Sequence, residues 1–236
     1  LFAPLKSSLV LSEGTGSPIF TRATKAWGLN ELGILRDVPS GCAVLEGARL
    51  VKNTIRTTSE DFSNASAWNK TGSLTTPSAN SLVCANATSA QYIGQVAVSP
   101  PPTTIGQGFI YGVRVRSVSG GVPAIQLAPS SLGFGTGQFA NISLTDGSVS
   151  ATGCTAVSNL VAAGTYDFAI AVTATANHAT GEAFSIVLAD SKAATRLAAF
   201  TGDGIKSVDI LRAWSIEVTG YPSSYAPEYV SVGSSV

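Results

Sequence analysis

Methionine is absent from the 236 residues, histidine occurs once and cysteine three times. Charge is scarce as well. Asp, Glu, Lys and Arg together make up 12% of the chain and cancel to a net charge of +0, where an ordinary globular domain carries about a quarter. Each shortage excludes something. Without a basic excess there is no electrostatic footprint for nucleic acid. One histidine, with no CxxC and no two-His spacing, leaves no zinc ligand set and no cofactor motif. Cys42, Cys84 and Cys154 are widely separated and odd in number, so at most one disulfide can form and three reduced thiols are expected. Long apolar runs are missing too. The most apolar stretch, residues 159–176, alternates and contains Tyr166, Asp167 and several threonines, so no membrane-spanning helix and no membrane insertion are expected. The opening LFAPLKSSLVLSEG has no basic segment ahead of a continuous apolar one, so no signal peptide is expected. Sustained helical periodicity is also lacking, and the best short candidate, residues 193–200, runs only two turns.

What fills the chain instead is Gly, Ser, Thr and Ala, arranged with period two. Phe109, Tyr111, Val113 and Val115 alternate with Gly112, Arg114 and Arg116. Tyr166, Phe168, Ile170 and Val172 alternate with Asp167, Ala169, Ala171 and Thr173, and Phe184, Ile186 and Leu188 repeat the pattern. Val208, Ile210, Trp214, Ile216 and Val218 form the last run, which Arg212 interrupts. Alternation of this kind predicts antiparallel strands with one buried and one wet face. Turn residues separate them: Gly120-Gly121, Asp146-Gly147, the segment 177–181, and Gly202-Asp203-Gly204. Asp146-Gly147, between Ile142/Leu144 and Val149, predicts a two-residue hairpin. Pro100, Pro101 and Pro102 make a stiff connector that ends a strand over residues 92–98. Strands at this spacing without intervening helices predict an all-β fold, an antiparallel jelly-roll β-sandwich.

Residues 1–52 read differently. Short apolar pieces are separated by Gly and Pro, and none is long enough to build a core. They are expected to form an N-terminal arm or docking subdomain, followed by the β-sandwich over residues 53–230 and a C-terminal tail over 231–236. A body of that size buries an adequate core without metal or disulfide staples.

Three segments carry a resemblance. Residues 19–53 hold a Phe20-Thr21-Arg22-Ala23 start and a Gly33-Ile34-Leu35-Arg36 strand. Ser59-Glu60-Asp61-Phe62 is followed by Ala67-Trp68-Asn69-Lys70. Trp214 and Glu217 precede Tyr221-Pro222-Ser223-Ser224-Tyr225-Ala226-Pro227. Together they resemble tailed-phage virion proteins of the head-fibre or tail-fibre type, which carry a carbohydrate-binding-module-like β-sandwich. The resemblance covers roughly residues 19–73 and 208–229. It implies a non-enzymatic bacteriophage virion structural protein that decorates the capsid or tail. Its implied partners are other virion proteins and further copies of itself, a trimer by family habit. The chain departs from the pattern in its short join at residues 50–55 and in lacking an Asp-Gly-rich stretch after Gly72, so no calcium site carries over.

The candidate site residues are few. Trp27, in the polar setting Lys25-Ala26-Trp27-Gly28, is the candidate for docking, because Trp is enriched in buried protein contacts. Phe62 and Trp68 are expected to fold onto the edge of the sandwich, where two buried aromatics contribute several kcal/mol. An exposed Trp68 indole would instead match a pyranose ring, which gives the alternative reading of a host-surface glycan-binding adhesin. A third reading, an accessory sugar-binding domain of a secreted glycosidase, is disfavoured by the missing catalytic module. Tyr221, Tyr225 and Tyr229 are expected to lie along the surface as a closing strap, since Pro222 and Pro227 forbid a helix. His178 reads as a turn residue rather than a general base. Glu60, Asp61 and Asp203 are scattered carboxylates at turns and edges, not a glycosidase pair. Four Asn-x-Ser/Thr sequons, at Asn64, Asn69, Asn86 and Asn141, are expected by chance in so Ser/Thr-rich a chain.

Overall fold

The alternating segments pair as antiparallel strands in a computed structural model that describes residues 26–29, 35–38, 59–95, 103–179 and 183–217. The chain divides by contact into two units, Leu1–Val51 and Lys52–Val236. In the first, β1 (Ala26–Leu29) pairs antiparallel with β2 (Leu35–Val38), placing Trp27 opposite Asp37 and Gly28 opposite Arg36.

In the second unit the described strands are β3 (Trp68–Thr71), β4 (Ser81–Val83), β5 (Thr88–Ser89), β6 (Tyr92–Gln95), β7 (Gly108–Ser117), β8 (Ala124–Pro129), β9 (Phe139–Ser143), β10 (Val149–Thr152), β11 (Thr155–Ala162), β12 (Thr165–Thr173), β13 (Phe184–Ala189), β14 (Phe200–Thr201) and β15 (Ser207–Glu217). One sheet has six strands in the order β10-β9-β8-β13-β6-β3, the other five in the order β11-β12-β7-β15-β4, and β14 and β5 form a small ribbon. The fold is all-β and its ladders are antiparallel. A single helical turn, α1 (Ser131–Phe134), is capped by the Ser130 hydroxyl, which accepts from the Leu132 N–H.

Period two sends one row of each strand to a shared core. Phe109, Tyr111, Val113 and Val115 of β7 meet Phe168, Ile170 and Val172 of β12 and Phe184, Ile186 and Leu188 of β13. The two sheets contribute to the same cluster. Tyr111 of the five-stranded sheet stacks on Phe184 of the six-stranded one, with ring centroids 4.8 Å apart, and Phe134 of α1 meets Tyr111 edge-on at 5.8 Å. The interruption read at Arg212 is a register shift between Ile210 and Arg212 in the β15–β7 ladder. Beyond it Ala213 joins the core cluster, while Arg212 and Trp214 stand outside it.

Residues 193–199 form turns and Phe200 opens β14, in keeping with the missing helical periodicity. They lie on the amide pair Gln126 and Asn141, which bonds their backbone at Ala194, Thr195 and Leu197. Gln126 Nε2 donates to Asn141 Oδ1 at 2.8 Å and to Thr195 O at 3.1 Å, while Gln126 Oε1 accepts from Leu197 N at 2.8 Å. Asn141 Nδ2 donates to Lys192 O and Ala194 O. The β9–β10 hairpin forms where Asp146-Gly147 placed it, but its loop is longer than two residues. Ser143 N donates to Ser148 O, so residues 144–147 all lie in the turn. The Asp146 carboxylate accepts from the Ser148 N–H and hydroxyl, tightening that longer loop. Finally, α1 was not anticipated, because a single turn leaves no periodicity to read. Residues 96–102 with the triple proline, the Tyr221/Tyr225/Tyr229 strap and the 231–236 tail lie outside the described residues.

Candidate functional site

The aromatic loop before β3 is built inward. Asp61 accepts from the Ser63 N–H, Asn64 Oδ1 accepts from the Ser66 N–H, and Trp68 N donates to Asn64 O at 2.9 Å. These local bonds wind residues 61–68 so tightly that both rings turn into the core. Phe62 and Trp68 are each 0% exposed, with centroids 4.8 Å apart, and Phe184 meets Trp68 edge-on at 6.1 Å. The packing expectation describes this arrangement. The glycan-stacking expectation for Trp68 is corrected, because a fully buried indole offers no face to a pyranose. Trp27 stands in β1 opposite Asp37, and nothing in the fold bears on its docking role.

Trp214 occupies a different setting. It lies on the side of β15 away from the core, directly opposite Gly112 of β7. A Cβ at Gly112 would fall 2.1 Å from Trp214 Cε2, so the indole rests on the bare backbone where any other residue would hold it off. The Arg212 guanidinium lies 5.8 Å from the ring centroid. Beside it, Arg114 makes a bidentate pair with Asp167, both bonds 2.7 Å, and Arg212 reaches the same carboxylate at 3.5 Å. Hydrogen bonding to Asp167 raises the Arg114 pKa, so its charge is permanent. This face is a braced ion-pair surface with its indole already covered.

A groove of about 940 Å³ opens at the α1 end of the second unit. Five glycines line it: Gly106, Gly108, Gly135, Gly137 and Gly153. Thr155, Thr173, Thr175, Gln138 and Cys154 line it as well. Gln138 holds the floor. Its Nε2 donates to Phe134 O and Thr173 O, and its Oε1 accepts from Thr173 N. Gly153 sets the wall. With φ at +62°, and with Gly137 O only 2.2 Å from where a Cβ would sit, the β10–β11 turn approaches the loop after α1 backbone to backbone. Cys154 donates to Phe139 O at 3.3 Å, and burial raises its pKa, so it is a neutral thiol. The lining therefore mixes uncharged hydroxyls and peptide groups with the apolar Phe134, Ala171 and Val172, and it gives no carboxylate or basic side chain.

The remaining sequence candidates are dispersed. His178 pairs by its backbone with Thr103, N to O at 3.0 Å and O from N at 2.8 Å. Asp203 accepts from the Ile205 and Lys206 N–H groups, which lower its pKa to about 2, Lys206 contributing most. It is a turn carboxylate, as its two glycine neighbours suggested. Asp61 is likewise engaged within its own loop. Cys84 and Cys154 are free thiols, and Cys42 lies outside the described residues. Of the sequons, Asn141 is 2% exposed and spends its amide on Lys192 O and Ala194 O. Among the described residues no group of three His, Cys, Asp or Glu could hold a metal ion, and no helix is long and apolar enough to cross a membrane. Sequence reading missed the groove and the Gly112 seat of Trp214. The only available signal was glycine inside or beside a strand run, which marks close approach without saying what approaches.

No protein-family model matches the chain, and no curated protein sequence matches it.

Proposed function

We propose that the chain is a non-enzymatic bacteriophage virion structural protein, decorating the capsid or tail as a spike or fibre domain. On this reading the second unit is a carbohydrate-binding-module-like jelly-roll sandwich displayed outward, and residues 1–52 dock it onto other virion proteins. The observation that carries the reading is the division of the chain at Val51/Lys52, at the end of the segment, residues 19–53, that resembles a virion leader. Two antiparallel sheets that share one core, with the chain crossing between them several times, support the jelly-roll description. Trp27, on the hairpin of the first unit, is the docking residue. The test is incorporation into particles. Deleting residues 1–52, or Trp27→Ala alone, abolishes decoration while the second unit stays folded by circular dichroism. Undiminished decoration by the truncated chain sinks the docking role.

A second reading, the host-surface glycan-binding adhesin, is favoured by the groove rather than by Trp68. Its uncharged lining combines threonine hydroxyls, which match sugar hydroxyls, with apolar surface from Phe134, Ala171 and Val172, and many copies on a particle would supply avidity. Signal on a glycan array that Thr175→Trp removes by filling the groove supports it. No signal with multivalent protein eliminates it.

A further inference from the structure

The four edges of the two large sheets are unequal. β3 and β10 end the six-stranded sheet with four residues each, and β4 ends the five-stranded sheet with three. The opposite end of that sheet is β11, eight residues long, and among the described residues no strand pairs with its outer side. Long edges in natural proteins carry charge, proline or a cover, because their unpaired N–H and C=O groups invite another strand. β11, TAVSNLVA, carries neither charge nor proline. Its register shift lies at the far end, between Leu160 and Ala162, so residues 155–160 run regularly along β12. Three of the six large exposed apolar side chains among the described residues sit on this strand: Val157 at 42%, Leu160 at 68% and Val161 at 44%. No Asp, Glu, Lys or Arg occurs between Asp146 and Asp167. β10 runs into β11 through Gly153 and Cys154, so the uncharged run of sequence continues from the edge of one sheet to the edge of the other.

We propose that the β11 edge is a self-association surface, on which two copies of the chain join their β11 strands antiparallel about a two-fold axis at Val157. The backbone edge specifies the chemistry of the occupant, which is another β-strand. The lack of charge admits an uncharged strand, and β11 of a second copy is one whose side chains also match across a two-fold axis. The register follows from the side chains. An axis perpendicular to the sheet keeps each face on its own side, so paired positions must share a face. Thr155, Val157 and Asn159 lie opposite Ala171, Ala169 and Asp167 and face outward with them. Centred on Val157, the pairs are Val157 with Val157 of the partner subunit, Thr155 with Asn159 of the partner subunit, and Ala156 with Ser158 of the partner subunit. Shifting the axis to Ser158 sets Val157 against Asn159 of the partner subunit and Ala156 against Leu160 of the partner subunit, which loses the matched pairs. The result is an isologous contact that merges two five-stranded sheets into one of ten strands. It needs only the folded second unit and stands apart from the virion reading.

Light scattering of the full chain across a dilution series tests the proposal. A mass approaching twice 24.0 kDa is expected at high concentration. Val157→Lys sets two ammonium groups opposite each other at the axis and weakens association by about tenfold or more. Ile205→Lys, on an exposed loop residue, leaves association unchanged. Should Val157→Lys fail to fold, Val157→Cys with Cys154→Ser decides alone. Side chains paired across an axis are close enough for a disulfide, and mild oxidation then yields a dimer whose crosslink maps position 157 to itself. The proposal is overturned by a mass of 24.0 kDa at every concentration. It is equally overturned by association that a folded Val157→Lys leaves intact, or by failure of position 157 to crosslink.

Discussion

Replacing Gly112 by alanine asks whether the seat of Trp214 is set by the absence of a single Cβ. That atom would lie 2.1 Å, 2.2 Å and 2.5 Å from Cε2, Cζ2 and Nε1 of the indole, all impossible contacts, so the ring must lift from the sheet. A Trp side chain buries about 150–250 Å², and Trp214 is only 6% exposed. Re-exposing roughly half of it, about 100 Å² at ~25 cal/mol per Å², costs about 2.5 kcal/mol. Alanine returns about 0.5–1 kcal/mol relative to glycine within a strand, leaving a net loss of about 2 kcal/mol. In a unit of this size that lowers Tm by about 4–8 °C. Urea unfolding followed by circular dichroism measures it in four proteins: parent, Gly112→Ala, Trp214→Ala and the double variant. With the indole gone, Gly112→Ala is expected to be neutral or stabilising, giving a coupling of about 2–3 kcal/mol. A Gly112→Ala loss under about 0.5 kcal/mol, or an equal loss in both backgrounds, refutes the reasoning.

Other outcomes follow from the same packing. Trp68→Ala removes a fully buried ring that touches Phe62 and Phe184 and costs about 3–5 kcal/mol by denaturant titration. Gln126→Ala strands Asn141 Oδ1 and the Leu197 N–H and costs about 3 kcal/mol, with amide exchange at Leu197 accelerating before global unfolding. Asp167→Asn weakens the Arg114 pair, which is about a quarter exposed on each side, and costs about 1 kcal/mol at low salt and less at high salt. The Asp146 carboxyl is lowered from 3.8 to about 2, chiefly by the Ser148 N–H and then its hydroxyl. A lowered folded pKa contributes stability above the unfolded value and loses it as pH falls through the folded one. The β9–β10 turn therefore loosens between pH 3.8 and about 2, read from the Ser148 amide shift, and Asp146→Asn shows no such step.

The strands were legible because their evidence is local. Alternation at Phe109/Tyr111/Val113/Val115 needs no knowledge of the partner strand, and β7 spans Gly108–Ser117 accordingly. The interruption at Arg212 likewise marked a real register shift. How residues 193–200 are held was not legible, because hydrogen bonds at Ala194 and Leu197 come from Asn141 and Gln126, more than fifty positions away. Trp68 left two readings open, of which packing was the expected one. An indole near a chain turn reads as platform or core, and the difference is whether Phe184 covers it.

The amino-acid sequence by itself determined the all-β class, the alternation that marks the core-facing rows of β7, β12 and β13, and the neutrality of residues 147–166. Those are properties of composition and nearest neighbours, which no partner strand can alter. Only the tertiary structure decided that Trp68 is core, that Gly112 is the seat of Trp214, and that the neutral run lies along the exposed edges of both sheets. Burial and edge position depend on which distant strand pairs with which, and strand order is set by the joint packing of both sheets on one core rather than by any segment alone.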